Sequence, residues 1–532
     1  MTEIHLTGRA ASPGLAIGPV TVLMGIVESR RVSGDPAQET VALKAAVEGA
    51  AADLAKLIKA EQGEAADILE FQVAMLGDDA LAEGAFDAIA TGIPADQAWR
   101  SVLNAEIAGY RSAEDEYFRA RVADLMDIRD RVLERLNGSE NSSAISGGSI
   151  VASDEISPSA FLAADWRRGG AIVLAAGSSS SHVAMLARAR GTPMVVGVGP
   201  LSWDGRPPAL ALVDGDAGTV IFDPEPETKR QFEQRMKTAH AAHALADADR
   251  AKPALTADGR RITLLLNIAA PEELTNLDPA ICDGIGLVRT EFLFEASQAL
   301  PDEETQFAVY RRILDWAQGR PVTIRTLDAG GDKPIAGLTI DGESNPFLGL
   351  RGIRLSLLRP EAFRLQLRAL ARAAVHGPLK VMLPMVTIPS ELDRAREFLD
   401  AEIAALRAKG IACARPLLGI MVEVPAAALR AEDFDAGFYS IGSNDLTQYT
   451  MAAARDNGMV ADLNDTGNPA VLALITRAVE AGRARGVEVS LCGDAAADIR
   501  LTKALLATGL TSLSVSPVAI GRLKATIATV KT

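Results

Sequence analysis

From residue 259 onward, eight short apolar runs recur with helical stretches between them: RITLLLNIA, GIGLVRTE, PVTIRTLD, LKVMLPMV, LLGIMVEVP, FYSIGSNDL, VEVSLCGD and LSVSP. Runs of this length, bounded by turn residues, suit strands buried on both faces. Strands joined by helical crossovers lie parallel. Eight such units in this length are the arithmetic of a (β/α)8 TIM-type barrel, with an open doubly wound sheet as the competing solution. The polar residues favour closure. Asn267, Arg289, Arg325, Glu423, Asn444 with Asp445, and Cys492 all stand at the C-terminal ends of successive runs. In a barrel those ends converge on one mouth.

The preceding half has a different texture. Residues 1–21 read as a turn and a strand, and residues 36–137 carry helical periodicity in four stretches, expected as a bundle of about four helices. The strand-like segments GSIVAS, GGAIVLAA, TPMVVGV, PALALVDG and GTVIFDP follow. The expected organisation is therefore a multidomain α/β chain. Residues 1–21 and 146–224 form a small α/β domain, 22–145 an inserted helical bundle, 225–258 a polar, Ala-rich connecting helix, and 259–532 the barrel.

Composition narrows the class. A net charge of −15 argues against non-specific nucleic-acid binding. No run of about 18 apolar residues appears, so no membrane insertion is expected, and MTEIHLTGRA lacks a basic-then-apolar signal segment. Cys282, Cys413 and Cys492 lie far apart, which fits neither a disulfide framework nor a zinc cluster and suits a reducing, cytoplasmic setting.

One of only five histidines stands in GSSSSHVAMLARAR, at the end of a serine run. Val183, Met185, Leu186 and Ala189 predict a helix packed on one side, with Arg188 and Arg190 facing outward. Ser180 or Ser181 is the expected cap, which puts His182 in the first turn, where unpaired N–H groups and the helix dipole favour an anion such as a phosphoryl group. A solvated surface histidine at a helix start is the plainer alternative.

The barrel mouth gathers three kinds of group. Arg289 and Arg325 end runs two and three, with Arg351 and Arg455 in nearby loops, and guanidinium forks match phosphate and carboxylate oxygens. Glu423 and Asp445 are hard oxygen donors of the kind that share Mg²⁺ with substrate oxygens and water. The alternative for Asp445 is a helix cap or an ion pair to an arginine. Cys492 is a candidate proton donor to a carbon centre if its pKa lies near neutral, and a small buried hydrophobe otherwise. Together they suggest a small polyanionic substrate carrying phosphate and carboxylate. No GxxxxGK[ST] loop is present to cradle a nucleotide, and GGDK at 330–333 is too short to be one.

Assembled, these stretches resemble enzyme I of the phosphotransferase system, the phosphoenolpyruvate–protein phosphotransferases, over nearly the whole chain. The family's phosphohistidine motif, close to GGxTSHxAIxAR, reads GSSSSHVAMLAR here. The barrel carries GIGLVRTEFLF, TIRTLDAGGDKP, NPFLGLRGIR, LPMV, GIMVEVPAA, IGSNDLTQYT and LCGD in the family's order. The resemblance implies that His182 accepts the phosphoryl group of phosphoenolpyruvate (PEP) and passes it to a phosphocarrier protein of the HPr type. It implies that Arg188, Ser180 and Ser181 support that site, and that Arg289, Arg325, Arg351, Arg455 and Lys333 bind PEP. It further implies that Asn444 holds the phosphoryl group, Glu423 and Asp445 hold Mg²⁺, and Cys492 protonates the leaving enolpyruvate. The helical bundle would dock HPr, the residue 225–253 helix would act as hinge arm, and the barrel would mediate a homodimer. Departures from the pattern include Ser180 for Thr, Ala175 for an acidic residue, ARDN at 454–457 for DRGN, and CGD at 492–494 for CGE. A pyruvate phosphate dikinase or PEP synthase relative would need an ATP-binding domain for which the chain has no room. A catalytically weak PEP sensor that docks HPr is the non-enzymatic alternative.

Overall fold

The computed structural model describes all residues except 1–2, 24–34, 59–63, 113–121, 139–144, 178–180, 202, 204–205, 249–250, 276, 296–299, 332–334, 336, 341, 456–457 and 532. Two compact units are present, Met1–Thr238 and Ala239–Thr532. Their boundary falls inside the helix Pro226–Ala248.

The first unit is built on an eight-stranded sheet. Its strands are β1 (Ile4–Thr7), β2 (Arg9–Ser12), β3 (Leu15–Val22), β4 (Ile150–Ser153), β5 (Ala171–Leu174), β6 (Met194–Val196), β7 (Leu210–Asp214) and β8 (Thr219–Phe222), in the order β1-β8-β7-β3-β4-β5-β6-β2. The opening 21 residues thus hold three strands where the sequence suggested a turn and one strand. β1 and β2 are too short to show alternation, and only their pairing with β8 and β6 makes them strands. β3 and β4 are parallel neighbours, with Val20 opposite Ile150. The helices described between them, Pro36–Ile58, Glu64–Leu76, Asp79–Ala90, Ala95–Ser112 and Val122–Leu136, are therefore inserted between two adjacent strands. Five helices are described there, not four. The second predicted stretch breaks at Gly77, and Asp78 caps the next helix by accepting from the Ala80 N–H at 3.0 Å.

The inserted helices share a core with one face of the sheet. Leu43, Leu54, Leu69, Trp99 and Leu133 belong to the same buried cluster as Val151, Ile172 and Leu174. The opposite face, with Ile150, Ala152, Ala171 and Val173, packs separately against Val213, Val220 and Phe222. This is the two-faced burial expected of the alternating side chains in β4 and β5.

The second unit is a closed barrel. Its eight parallel strands are β10 (Arg261–Ile268), β11 (Gly284–Val288), β12 (Val322–Arg325), β13 (Leu379–Leu383), β14 (Leu417–Val422), β15 (Phe438–Gly442), β16 (Glu488–Cys492) and β17 (Ser512–Val515). A short strand β9 (Ala254–Leu255) adds antiparallel to β10. β10 pairs on one side with β11, Leu265 opposite Gly284, and on the other with β17, Thr263 opposite Ser512. A first strand bonded to both the second and the last excludes the open doubly wound sheet. Alternation along the strands divides the apolar residues: Leu287, Met382, Met421, Phe438 and Cys492 cluster together, whereas Val288, Val381, Leu383, Ile420 and Val422 join the larger cluster shared with the helices.

Candidate active site

The polar centre of the barrel lies just past the ends of β12, β14 and β15. Arg325, the last residue of β12, is 5% exposed. Its guanidinium donates to Glu291 Oε1 at 3.1 Å and pairs with Asp328 Oδ2 at 3.0 Å. Asp328 in turn accepts from Arg351, Nε to Oδ1 at 3.1 Å and Nη2 to Oδ2 at 3.0 Å. The same Arg351 reaches Asp445 with two bonds of 3.1 and 3.2 Å, and the Tyr449 hydroxyl at 3.2 Å. Arg455 closes on Asp445 from another side at 3.5 Å. The result is a row of alternating charge, Arg325–Asp328–Arg351–Asp445–Arg455. Against the pull of burial, Asp328 and Asp445 drive the Arg351 pKa up, so the guanidinium keeps its proton.

Glu423 follows β14 and is 1% exposed. Its Oε1 accepts the backbone N–H of Met385 at 2.6 Å. Met385 has φ of 58°, a left-handed conformation rare for a residue with a side chain, and its N–H serves Glu423. Glu423 Oε2 is buried and has no hydrogen-bond partner among the described residues. Burial first, then Asp445 and Asp328, push the Glu423 carboxyl up to about 8. Asp445 goes the other way: burial opposes its charge, but Arg351 and Arg455 hold its pKa below the ordinary value. Four carboxylates (Glu291, Asp328, Glu423, Asp445) thus face three guanidiniums (Arg325, Arg351, Arg455), and Oε2 of Glu423 has no hydrogen-bond partner among the described residues. That donor chemistry fits a hard divalent cation beside Glu423 and Asp445.

Cys492 ends β16 and is buried among Leu287, Met382, Met421 and Phe438. Ser440 Oγ lies 3.6 Å from its sulfur, which itself donates toward the Ile441 carbonyl at 3.5 Å. Burial pushes the thiol up to about 11, opposed by Ser440 and by Arg325 and Arg289. The near-neutral pKa set from the sequence as the condition for a proton donor is not met, because the apolar residues lining the strand end favour the neutral thiol. Asn444 sits beside it: its side-chain oxygen accepts from Asp494 N–H at 2.9 Å, and its amide approaches Asp494 Oδ2 at 3.3 Å. Gly493, with φ of 96°, permits this approach. A Cβ there would meet Ser443 Oγ and Asn444 Oδ1.

Arg289 is exposed just beyond β11 and lies outside the buried row, although its charge is felt at Glu273 and Cys492. Asn267 is engaged by Ser514, donating to its carbonyl at 2.9 Å. Lys333 lies outside the described residues. Two members of the row, Asp328 and Glu291, went unassigned in the sequence. The signal was present in RTE at 289–291 and TLD at 326–328, where a carboxylate follows each strand-end arginine by two or three residues.

In the first unit, the helix His182–Arg190 starts where the sequence put it, and Ser181 is the cap, its Oγ accepting from Ala184 N–H at 3.3 Å. Ser180 and the His182 side chain lie outside the described residues. The helix ends on Gly191 in the left-handed conformation. Arg188 and Arg190 do not simply face water as expected. Arg188 donates to the Ala11 carbonyl at 2.7 Å, and Arg190 lies over the Phe161 ring at 5.5 Å.

Known protein families match along the chain: the PEP-utilising enzyme N-terminal domain over residues 7–121, the PEP-utilising enzyme mobile domain over 145–218, and the PEP-utilising enzyme PEP-binding domain over 243–532. The sequence is 37% identical to the phosphoenolpyruvate-protein phosphotransferase of Geobacillus stearothermophilus over 533 residues, covering 97% of this chain and 92% of that one. Identity is 39% to the protein of that name from Haloferax volcanii, over 87% of this chain and 82% of that one. It is 35% to that of Bacillus subtilis, over 97% and 93%. A solution structure of an Enzyme I protein is 26% identical, with a TM-score of 0.36, over 44% of this chain and 99% of that one.

Proposed function

The chain belongs to the phosphoenolpyruvate–protein phosphotransferase family, and on that premise we propose that it moves the phosphoryl group of PEP to its own His182. From there the group passes to a histidine of an HPr-type phosphocarrier protein, and pyruvate is released. The observation that carries this reading is the buried row of alternating arginines and carboxylates, with the buried Cys492 thiol at the end of β16 in the same barrel.

PEP carries a phosphate and a carboxylate, and the barrel offers guanidiniums for both. Arg325 has a buried Nε with no partner among the described residues, a donor available to a substrate oxygen. Arg455, held by Asp445, can share its remaining donors with the substrate, whereas all the N–H donors of Arg351 are committed to Asp328, Asp445 and Tyr449, so its part is to place fixed positive charge beside the substrate. Arg289 and Lys333 would complete the anion site, and Asn444 would orient the phosphoryl group. Glu423 and Asp445 would hold Mg²⁺, which when bound supplies positive charge against the transferring phosphoryl oxygens.

The neutral imidazole of His182 attacks phosphorus as the P–O bond to the enol oxygen breaks. The enolate left behind takes a proton at its methylene carbon from Cys492, which gives pyruvate, and the thiolate regains a proton from solvent. The thiol is a weaker acid than the near-neutral donor asked for from the sequence, but it stays loaded until the enolate forms, and an enolate carbon is basic enough to take its proton. Phosphoryl on His182 would lie at the N-terminus of the helix His182–Arg190, where backbone N–H groups favour anions, with Ser180, Ser181 and Arg188 around it. His182 belongs to the first compact unit and the arginine row to the second, so transfer from PEP would pass from one unit to the other. The helix Pro226–Ala248, within which the boundary of the units falls, would be the arm for the motion this needs. The inserted helices would dock HPr, and the barrel would form a homodimer. Among the described residues, no helix is long and apolar enough to cross a membrane.

The deciding experiment is the intact mass of the purified protein after PEP and Mg²⁺, beside His182→Ala. The expected result is a gain of one phosphoryl group, absent in the variant and discharged by HPr. No gain in a protein that binds PEP would leave a sensor and end the transferase reading. Light scattering of the full chain tests the homodimer.

A further inference from the structure

Gln366 lies in the helix Pro360–Ala373, on the far side of the strands from the site, and is 1% exposed. Each of its polar side-chain atoms is nevertheless committed. Its Oε1 accepts the Leu327 N–H at 3.0 Å. Its Nε2 donates to Thr290 Oγ1 and to the Tyr310 hydroxyl, both at 3.2 Å. Thr290 passes its own proton on to the Arg325 carbonyl at 3.0 Å. Tyr310 gives its proton to Gln306 Oε1 at 3.0 Å, and Gln306 donates to the Pro301 carbonyl at 3.0 Å.

The direction of every bond is thereby set. A carbonyl only accepts, so Thr290 must donate to Arg325 and accept from Gln366. Gln306 presents its oxygen to Tyr310, so Tyr310 also accepts from Gln366. Only an amide supplies two donors on one side and an acceptor on the other. A carboxylate at 366 would face two hydroxyl oxygens whose protons are already given away, and could bond to Thr290 only by taking it off Arg325.

This network lands on the backbone of residues 325–328, the segment that carries both Arg325 and Asp328. Gln366 holds the Leu327 N–H directly and the Arg325 carbonyl through Thr290. Further attachments of the segment include the Thr326 N–H to Met382 O at 2.9 Å, the Thr326 hydroxyl to the same carbonyl at 3.5 Å, and the Asp328 N–H to Glu291 Oε1 at 3.0 Å. We propose that Gln366 is a positioning residue for substrate binding: working through Thr290 and Leu327, it fixes where Arg325 and Asp328 stand at the barrel mouth. This rests on the reading of Arg325 as a PEP-binding residue. Because Arg325 would hold PEP in both ground and transition states, loosening it should weaken binding more than it slows chemistry.

The test measures KM and kcat for PEP-dependent phosphorylation in the full chain, with thermal melts beside them. Gln366→Met, Gln366→Glu and Thr290→Val are each expected to raise KM about five- to ten-fold, with kcat changed by less than about three-fold. Thr290→Ser, which restores the hydroxyl, is expected to restore KM. Tyr310→Phe removes an equally buried hydrogen bond on the branch that leads away from the mouth. It is expected to lower the melting temperature while leaving KM within about two-fold. Equal KM values for Thr290→Val and Tyr310→Phe, or a loss that follows the folded fraction alone, would overturn the inference. If Gln366→Met fails to fold, the Thr290 pair decides alone. Arg325→Lys separates the two levels. An unchanged KM there overturns the substrate-site reading and the inference with it; a raised KM there with unchanged KM in the Gln366 and Thr290 variants overturns the inference only.

Discussion

Arg351 and Asp445 meet as a two-bonded pair, Nη1 to Oδ1 at 3.1 Å and Nη2 to Oδ2 at 3.2 Å, although 94 residues separate them in the chain. The guanidinium is simultaneously forked onto Asp328, so one side chain ties the loop after β12 to the first turn of the helix Ser443–Met451. A bidentate fork of this kind is available to arginine and not to lysine.

Breaking that joint leaves two buried carboxylates short of a partner. Arg351→Met is expected to destabilise the protein by about 3–5 kcal/mol in urea unfolding. Adding Asp445→Asn should recover at least about 1 kcal/mol, because one of the orphaned charges is removed. Simple additivity of the two losses would mean that the pair contributes nothing as a unit.

Glu423 predicts a pH dependence with a defined sign. Its folded pKa is raised from 4.5 to about 8 by burial and by Asp445 and Asp328. Between those values the folded protein binds the proton that the unfolded chain has released, so stability is greatest below about 4.5 on this account and falls as pH rises toward 8. Melting temperatures of the protein in chelator, taken from pH 5 upward, should show a downward slope that Glu423→Gln flattens. Mg²⁺ favours the carboxylate, so its stabilising effect should grow across the same range. A slope untouched by Glu423→Gln would assign the titration to another group.

The thiol of Cys492, pushed up to about 11, should resist alkylation at pH 8 and react only as the solution becomes more alkaline. Iodoacetamide labelling followed by peptide mass measures this. Cys492→Ala should keep PEP binding but lower the rate of pyruvate formation by about 10²–10⁴. Full activity in that variant would remove Cys492 from the reaction.

Gly493 is required by its backbone. At φ of 96° a side chain is strained, and a Cβ would come within 2.7 Å of Asn444 Oδ1. Gly493→Ala should cost about 1–3 kcal/mol and displace the Asn444 amide. A melting temperature equal to that of the parent, with unchanged KM for PEP, would mean that the turn accommodates the methyl group at no cost.

The barrel was legible because each of its strands is a short apolar run with a turn residue at each end, and the strand-end arginines and carboxylates stood out against that pattern. Closure itself was an inference from counting; the double pairing of β10 is a contact between residues 263 and 512 that no local pattern encodes. Asp328 and Glu291 were missed for a similar reason. A carboxylate two or three residues past a strand looks like a loop charge until the turn folds it back onto Arg325. Gln366 carried no signal at all, being one amide on an amphipathic helix. The cap at Ser181 was readable from the serine run, whereas the Ala11 carbonyl that engages Arg188 comes from a strand 177 residues away.

The double pairing of β10 also governs the order of events during synthesis. β17 supplies the last edge that β10 needs, and it lies at Ser512–Val515. While the ribosome still holds that segment, the strands already made form an open sheet with two unpaired edges, and the charged row at its mouth lacks an enclosing wall. The arginines and carboxylates of the site lie on segments that precede β17, so the barrel closes around them only once Ser512–Val515 is available. Until then the unpaired edges of β10 and its last-made neighbour are open to pairing with another chain.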